Sequence, residues 1–80
     1  MRPIFIQVKC ELGKAYDVAA TAVDTIEEVS EVYSTSGEYD LLIKCYLDPN
    51  SDIGRFVTAK IQTLPNVADT YTIMTFNAFT

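Results

Sequence analysis

The residues of this chain best placed to do chemistry are Ser36-Gly37-Glu38-Tyr39-Asp40, inside the stretch YSTSGEYDLLIK from Tyr33 to Lys44. A strand-like run enters them and a second apolar run leaves, so the five read as a hairpin tip. Ser-Gly-Glu alone would make the turn, because glycine supplies the positive φ that tight hairpins require. Tyr39 and Asp40 exceed that need. Backbone N–H and C=O groups freed around Gly37, beside a carboxylate, offer donors and acceptors together, which is what a zwitterion such as a free amino acid requires. The carboxylate would hold an ammonium and the amides would hold the ligand's carboxylate. The competing reading is structural: Asp40 caps its own hairpin and Tyr39 simply packs. The residues alone leave both open.

Other chemistry is scarce. The chain has no His and no Trp, and it contains no HExxH, GxGxxG or phosphate-loop pattern. Asp40 and the tyrosines are the only acid-base candidates, which points away from an enzyme and from any cofactor. Cys10 and Cys45 sit far apart in apolar strand-like segments. They read as buried, reduced thiols and not as metal ligands. Net charge is −5, and no Lys or Arg falls between Lys14 and Lys44, where Asp17, Asp24, Glu27, Glu28, Glu31, Glu38 and Asp40 all lie. A polyanion would be repelled, so direct DNA binding is not expected. The first ten residues lack the pattern of a signal peptide and no apolar run reaches membrane-spanning length, so the expected location is cytoplasmic, without membrane contact.

The elements that must hold the hairpin follow from periodicity. Ile4, Ile6, Val8 and Cys10 alternate as a strand ended by Gly13. Ala15, Val18, Ala19, Ala22, Val23 and Ile26 then fall at helical spacing. A second strand is expected from about Val29 to Thr35 and a third from Tyr39 to Leu47. Asp48-Pro49 reads as a helix start, an N-cap followed by proline at the first helical position. That helix should bury Ile53, Phe56, Val57, Ile61 and Leu64 and stop at Pro65-Asn66, and a last strand should run from Val67 to about Phe79. A shift of 38 positions aligns the two halves, Ala15 with Ile53, Val18 with Phe56, Val23 with Ile61 and on to Tyr33 with Tyr71. A strand-helix-strand unit written twice predicts an α+β, ferredoxin-like βαββαβ domain over residues 1–80, with both helices on one face of a four-stranded antiparallel sheet.

The opposite face should then be polar if it meets water. It is expected instead to show Phe5, Leu42, Tyr46 and their counterparts on the last strand. A chain of 80 residues, 49% of them hydrophobic, hides only about 60% of its unfolded surface in one small core. A second sheet, most simply from an identical subunit, should cover the remainder.

This duplicated unit, with EVYSTSGEYDLLIK around the hairpin and LPNVADTYTIM in the last strand, resembles the effector-binding domain of the Lrp/AsnC family of amino-acid-responsive regulators. The resemblance implies a dimeric α/β-barrel type of domain paired through the sheets, and rings of about eight chains built from dimers. It also implies an amino-acid effector bound where neighbouring dimers meet. Carried over by motif, Ser36, Gly37, Tyr39 and Asp40 would belong to the ligand loop, and Thr70 and Thr72 to the facing strand. Most relatives carry an N-terminal helix-turn-helix; the start at Met1-Arg2-Pro3 favours a stand-alone sensor that modulates transcription, with a full-length regulator of the family as a candidate partner. Two other classes compete with it, a small dimeric α/β-barrel enzyme of monooxygenase or isomerase type and a purely structural assembly module.

Overall fold

The computed structural model describes all 80 residues, Met1–Thr80. Strand β1 spans Arg2–Cys10, helix α1 Ala15–Thr25, β2 Val29–Ser34 and β3 Leu41–Leu47. Helix α2 covers Ile53–Phe56 and continues as a π turn through Val57–Ile61, and β4 spans Val67–Met74. The strands form one antiparallel sheet in the order β2-β3-β1-β4. Each half supplies one inner strand, one helix and one edge strand, as the internal repeat requires.

Alternation decides which face is core. On β1 Ile4, Ile6, Val8 and Cys10 are buried, and on β3 Leu41, Ile43, Cys45 and Leu47. Val18, Ala22 and Ile26 of α1 and Phe56, Val57, Ile61 and Leu64 from the α2 segment join them in one cluster of 15 residues. Both helices therefore lie on the same face. No polar or charged residue is buried.

The expected helix start at Asp48 is corrected by four residues. Asp48 forms a turn with Ser51, whose N–H donates to the Asp48 carbonyl at 3.0 Å, and Asp52 is the N-cap, accepting from the Arg55 N–H at 3.0 Å. Two aspartates compete for the cap, and Asp52 wins because it directly precedes Ile53, which packs against the core. The last strand ends at Met74, which pairs with Ile4 close to the start of β1. Thr75–Thr80 leave the sheet, although β1 itself runs on to Arg2.

The same burial governs the thiols. Cys45 is wholly enclosed, and burial, then the nearby Glu28 carboxylate, push its pKa from 9.0 to about 11. Unfolding releases the thiol to ionise at its ordinary value, so the stability linked to this group is complete below pH 9 and is lost as pH rises through 9 toward 11. Urea titrations should show wild type losing more stability between pH 8 and 10.5 than Cys45→Ala does. Parallel losses in the two proteins would contradict the assignment.

Candidate functional site

The hairpin tip is tied to the sheet through Asp40. Its N–H donates to the Val8 carbonyl at 2.9 Å, and its carbonyl accepts from the Thr35 N–H at 2.9 Å. Its carboxylate Oδ2 accepts from the Cys10 N–H at 2.7 Å. Cys10 lies two residues beyond Val8, the last β1 residue paired with β3, so a side-chain oxygen takes the place of a ladder carbonyl at the end of β1. The Asp40 residue is half-buried, and its second carboxylate oxygen holds no hydrogen bond within the chain. Asp40 thus does cap local backbone, though on the neighbouring strand and not on its own turn.

Around it the tip is polar and open. Thr35 Oγ1 donates to the Tyr39 carbonyl at 2.9 Å, and Lys9 Nζ donates to the Glu38 carbonyl at 3.1 Å. Gly37 has φ +101°, and a Cβ built on it would meet nothing within 4 Å. Glycine is required there for backbone conformation and not for room. Ser36 and Gly37 are exposed.

Tyr39 packs beside Tyr71 of β4, ring centroids 6.3 Å apart. Burial first, then the charges of Asp69 and Glu38, raise the Tyr39 pKa above its ordinary value. The phenol therefore stays a hydrogen-bond donor at neutral pH and is no poised base. Tyr71 pairs with Gln7, and so points away from the helices.

Thr70 and Thr72 point the other way. They pair with Val8 and Ile6, whose side chains are core, and so stand on the helix face of β4. Thr70 Oγ1 accepts from Gln62 Nε2 at 2.9 Å. Thr72 lines a groove of about 360 Å³ with Ile53, Val57, Thr58, Gln62 and Met74. The π turn positions this wall: the Gln62 N–H donates to the Val57 carbonyl at 2.9 Å, five residues back, which directs the Gln62 side chain at β4. The six expected residues are thus divided within one chain. Asp40 and its turn sit at the sheet end, Tyr39 packs toward the open face, and the two threonines are on the helix face.

The open face carries the other candidate surface. Phe5, Leu42 and Tyr46 are half-buried on it, and Tyr33, Tyr71 and Ile73 are 51%, 57% and 36% exposed. This is the apolar face that the alternation of Phe5, Leu42 and Tyr46 predicts. The partnerships of Asp40 with Cys10, Gln62 with Thr70, and Lys44 with Glu31 are additions that only the folded register displays, since each joins residues from different elements.

The architecture defines the class, a ferredoxin-like α+β domain. The chain belongs to the Lrp/AsnC family: the model for the Lrp/AsnC ligand binding domain matches residues 4–80. It is 34% identical over 70 residues to the HTH-type transcriptional regulator FL11 of Pyrococcus abyssi, an alignment covering 88% of this chain and 45% of that protein. The chain spans about half the length of the curated relatives it matches. The crystal structure of the hypothetical protein PHS023 from Pyrococcus horikoshii superposes with a TM-score of 0.83 at 32% identity, covering 99% of this chain and 94% of that one. The transcriptional regulator NMB0573 of Neisseria meningitidis, solved as its L-Met complex, shares the fold with a TM-score of 0.82 at 22% identity, over 99% of this chain and 52% of that one.

Proposed function

We propose that residues 1–80 form a ligand-binding and oligomerisation domain that senses an amino acid in the cytoplasm and modulates transcription through its assembly, without catalysis. The observation that carries this reading is the Asp40 carboxylate. One oxygen is held at 2.7 Å by the Cys10 N–H and the other is free, beside the open turn at Gly37. A fixed anion next to unencumbered backbone amides suits the two charges of an amino acid. Membership of a ligand-binding family supports it, as does the L-Met complex of a protein that shares the fold.

The division of the six residues in one chain supports a site completed between chains. Asp40, Gly37, Ser36 and Tyr39 of one copy would meet Thr70 and Thr72 of a neighbour, in a ring of about eight chains built from dimers. The dimers would form by covering the open face, since each large apolar side chain removed from water contributes roughly 1.5 to 3 kcal/mol. DNA contact would fall to a full-length regulator sharing the ring, because this chain carries a net charge of −5. The test is a melting screen against the common amino acids. A ligand bound only by the native state raises the melting temperature as its concentration passes Kd, by an amount equivalent to about 2.7 kcal/mol at a hundredfold excess over Kd. One or a few amino acids should stabilise the protein; no response to any of them at millimolar concentration would contradict the reading.

A further inference from the structure

The apolar open face has a charged pair in its middle. Lys44 on β3 stands in one row with Glu31 on β2, Phe5 on β1 and Ile73 on β4. The Lys44 ammonium lies 3.7 Å from Glu31 Oε2, and 5.1 Å and 5.9 Å from the ring centroids of Tyr46 and Phe5. The Tyr33 hydroxyl donates to the other oxygen, Glu31 Oε1. In water such a pair contributes little, and aromatic or aliphatic side chains would fill the row at least as well. Beneath a covering sheet its position changes. Both charges lose solvent, and an ion pair at 3.7 Å is longer than a hydrogen bond, so it leaves the ammonium's donors to be met by the covering surface.

A covering surface that brings further acceptors to Lys44 and a closer cation to Glu31 therefore suits the face best. A second copy of the same face brings both. Its charged residues are Lys44 and Lys9 against Glu31 and Asp69, and Lys9 pairs with Asp69 across β1 and β4. The face is balanced in sign although the chain as a whole carries −5. Balanced, self-complementary charge fits a twofold contact, in which each residue meets the same surface on the other copy.

We infer that Lys44 and Glu31 are the partner-selecting charges of this face: Lys44 of one copy bonds Glu31 of the partner subunit, and the reverse, so that the face accepts a second copy of this chain and rejects a sheet without matching charges. The inference rests on the reading that the open face is the dimer contact. It adds to that reading the means by which one copy is distinguished from other sheets of the same fold. Apolar side chains alone would bind any such sheet, and like-charge juxtaposition is what excludes the wrong one.

The experiment exchanges the charges. Glu31→Lys and Lys44→Glu are combined in one chain, and that variant is mixed with wild type after each has been shown by circular dichroism to be folded. Each protein alone should dimerise, since each offers an acid for every base. A mixed dimer would set Lys44 against a lysine and Glu31 against a glutamate, so native mass spectrometry should find mixed dimers well below the statistical proportion of about half. Lys44→Met, which leaves Glu31 without a cation, should weaken the dimer by about a hundredfold or more, and Glu31→Gln combined with Lys44→Met should recover most of it. Mixed dimers at the statistical proportion, a charge-exchanged variant that stays monomeric, or a Lys44→Met dimer as tight as wild type overturns the inference. Leu42→Asp in the same series separates the two levels. If wild type is monomeric, or if Leu42→Asp still dimerises, the open face is not the contact and the underlying reading is the one that fails.

Discussion

Leu42→Asp should turn the assembled protein into a folded monomer of 8.9 kDa. Leu42 lies between Gln7 of β1 and Tyr33 of β2 on the open face, half-buried in the single chain and outside the core cluster. The folded chain therefore tolerates the change, because water still reaches the new carboxylate. Beneath a second sheet the same carboxylate would be buried without a partner, at a cost of several kcal/mol. Since each 1.4 kcal/mol is a factor of ten, association should weaken by more than about a hundredfold. Light scattering at micromolar concentration, with circular dichroism as the check on folding, measures both properties. A folded variant with the mass of wild type would place the contact elsewhere.

Ile43→Ala, one residue along, should have the opposite signature. Its side chain is wholly buried in β3, between Ile6 of β1 and Val32 of β2. Truncation leaves a cavity beneath the helices, and such changes cost about 2 to 5 kcal/mol. A chain of this size has total stability on the order of 4 to 12 kcal/mol, so a large part would be lost. Urea unfolding at a concentration where assembly is saturated should show a lower midpoint with an unchanged slope. A loss of mass without loss of stability would mean that the two faces of β3 have been assigned the wrong way round. Adjacent residues thus test assembly and folding separately, because successive side chains of a strand point to opposite faces.

The ferredoxin-like fold was legible because its information is periodic. Ile4, Ile6, Val8 and Cys10 alternate, α1 shows its helical stripe, and the offset of Ala15 from Ile53 repeats the whole unit. Boundaries were less legible where two residues of the same type compete, as Asp48 and Asp52 do for one cap. The end of β4 was less legible too, because it depends on pairing with β1, a different segment. The hairpin was legible in outline through Gly37, whose positive φ is a local requirement. The bond between Asp40 and the Cys10 N–H was not, because it spans 30 residues and depends on where the pairing of β1 with β3 ends. Nor could spacing place Thr70 and Thr72, since the register that sets them opposite Val8 and Ile6 emerges only when β4 pairs with β1. Lys44 stands in an otherwise apolar run, and only the folded face shows that Glu31 lies beside it.

The central claim is that the free charge of Asp40 recognises an amino acid, and calorimetric titration of wild type and Asp40→Asn with the amino acid that most raises the melting temperature tests it most directly. Asparagine keeps a side-chain oxygen for the Cys10 N–H and nearly the same volume, so the hairpin retains its tie to β1 while the charge is lost. A charge-assisted hydrogen bond is worth about 1.5 to 3 kcal/mol, and affinity should fall by roughly one to two orders of magnitude. The melting temperature of the unliganded protein should change little. Equal affinities in the two proteins, with the variant folded and assembled, would show that Asp40 serves only to hold the end of β1 and that the amino acid is bound elsewhere.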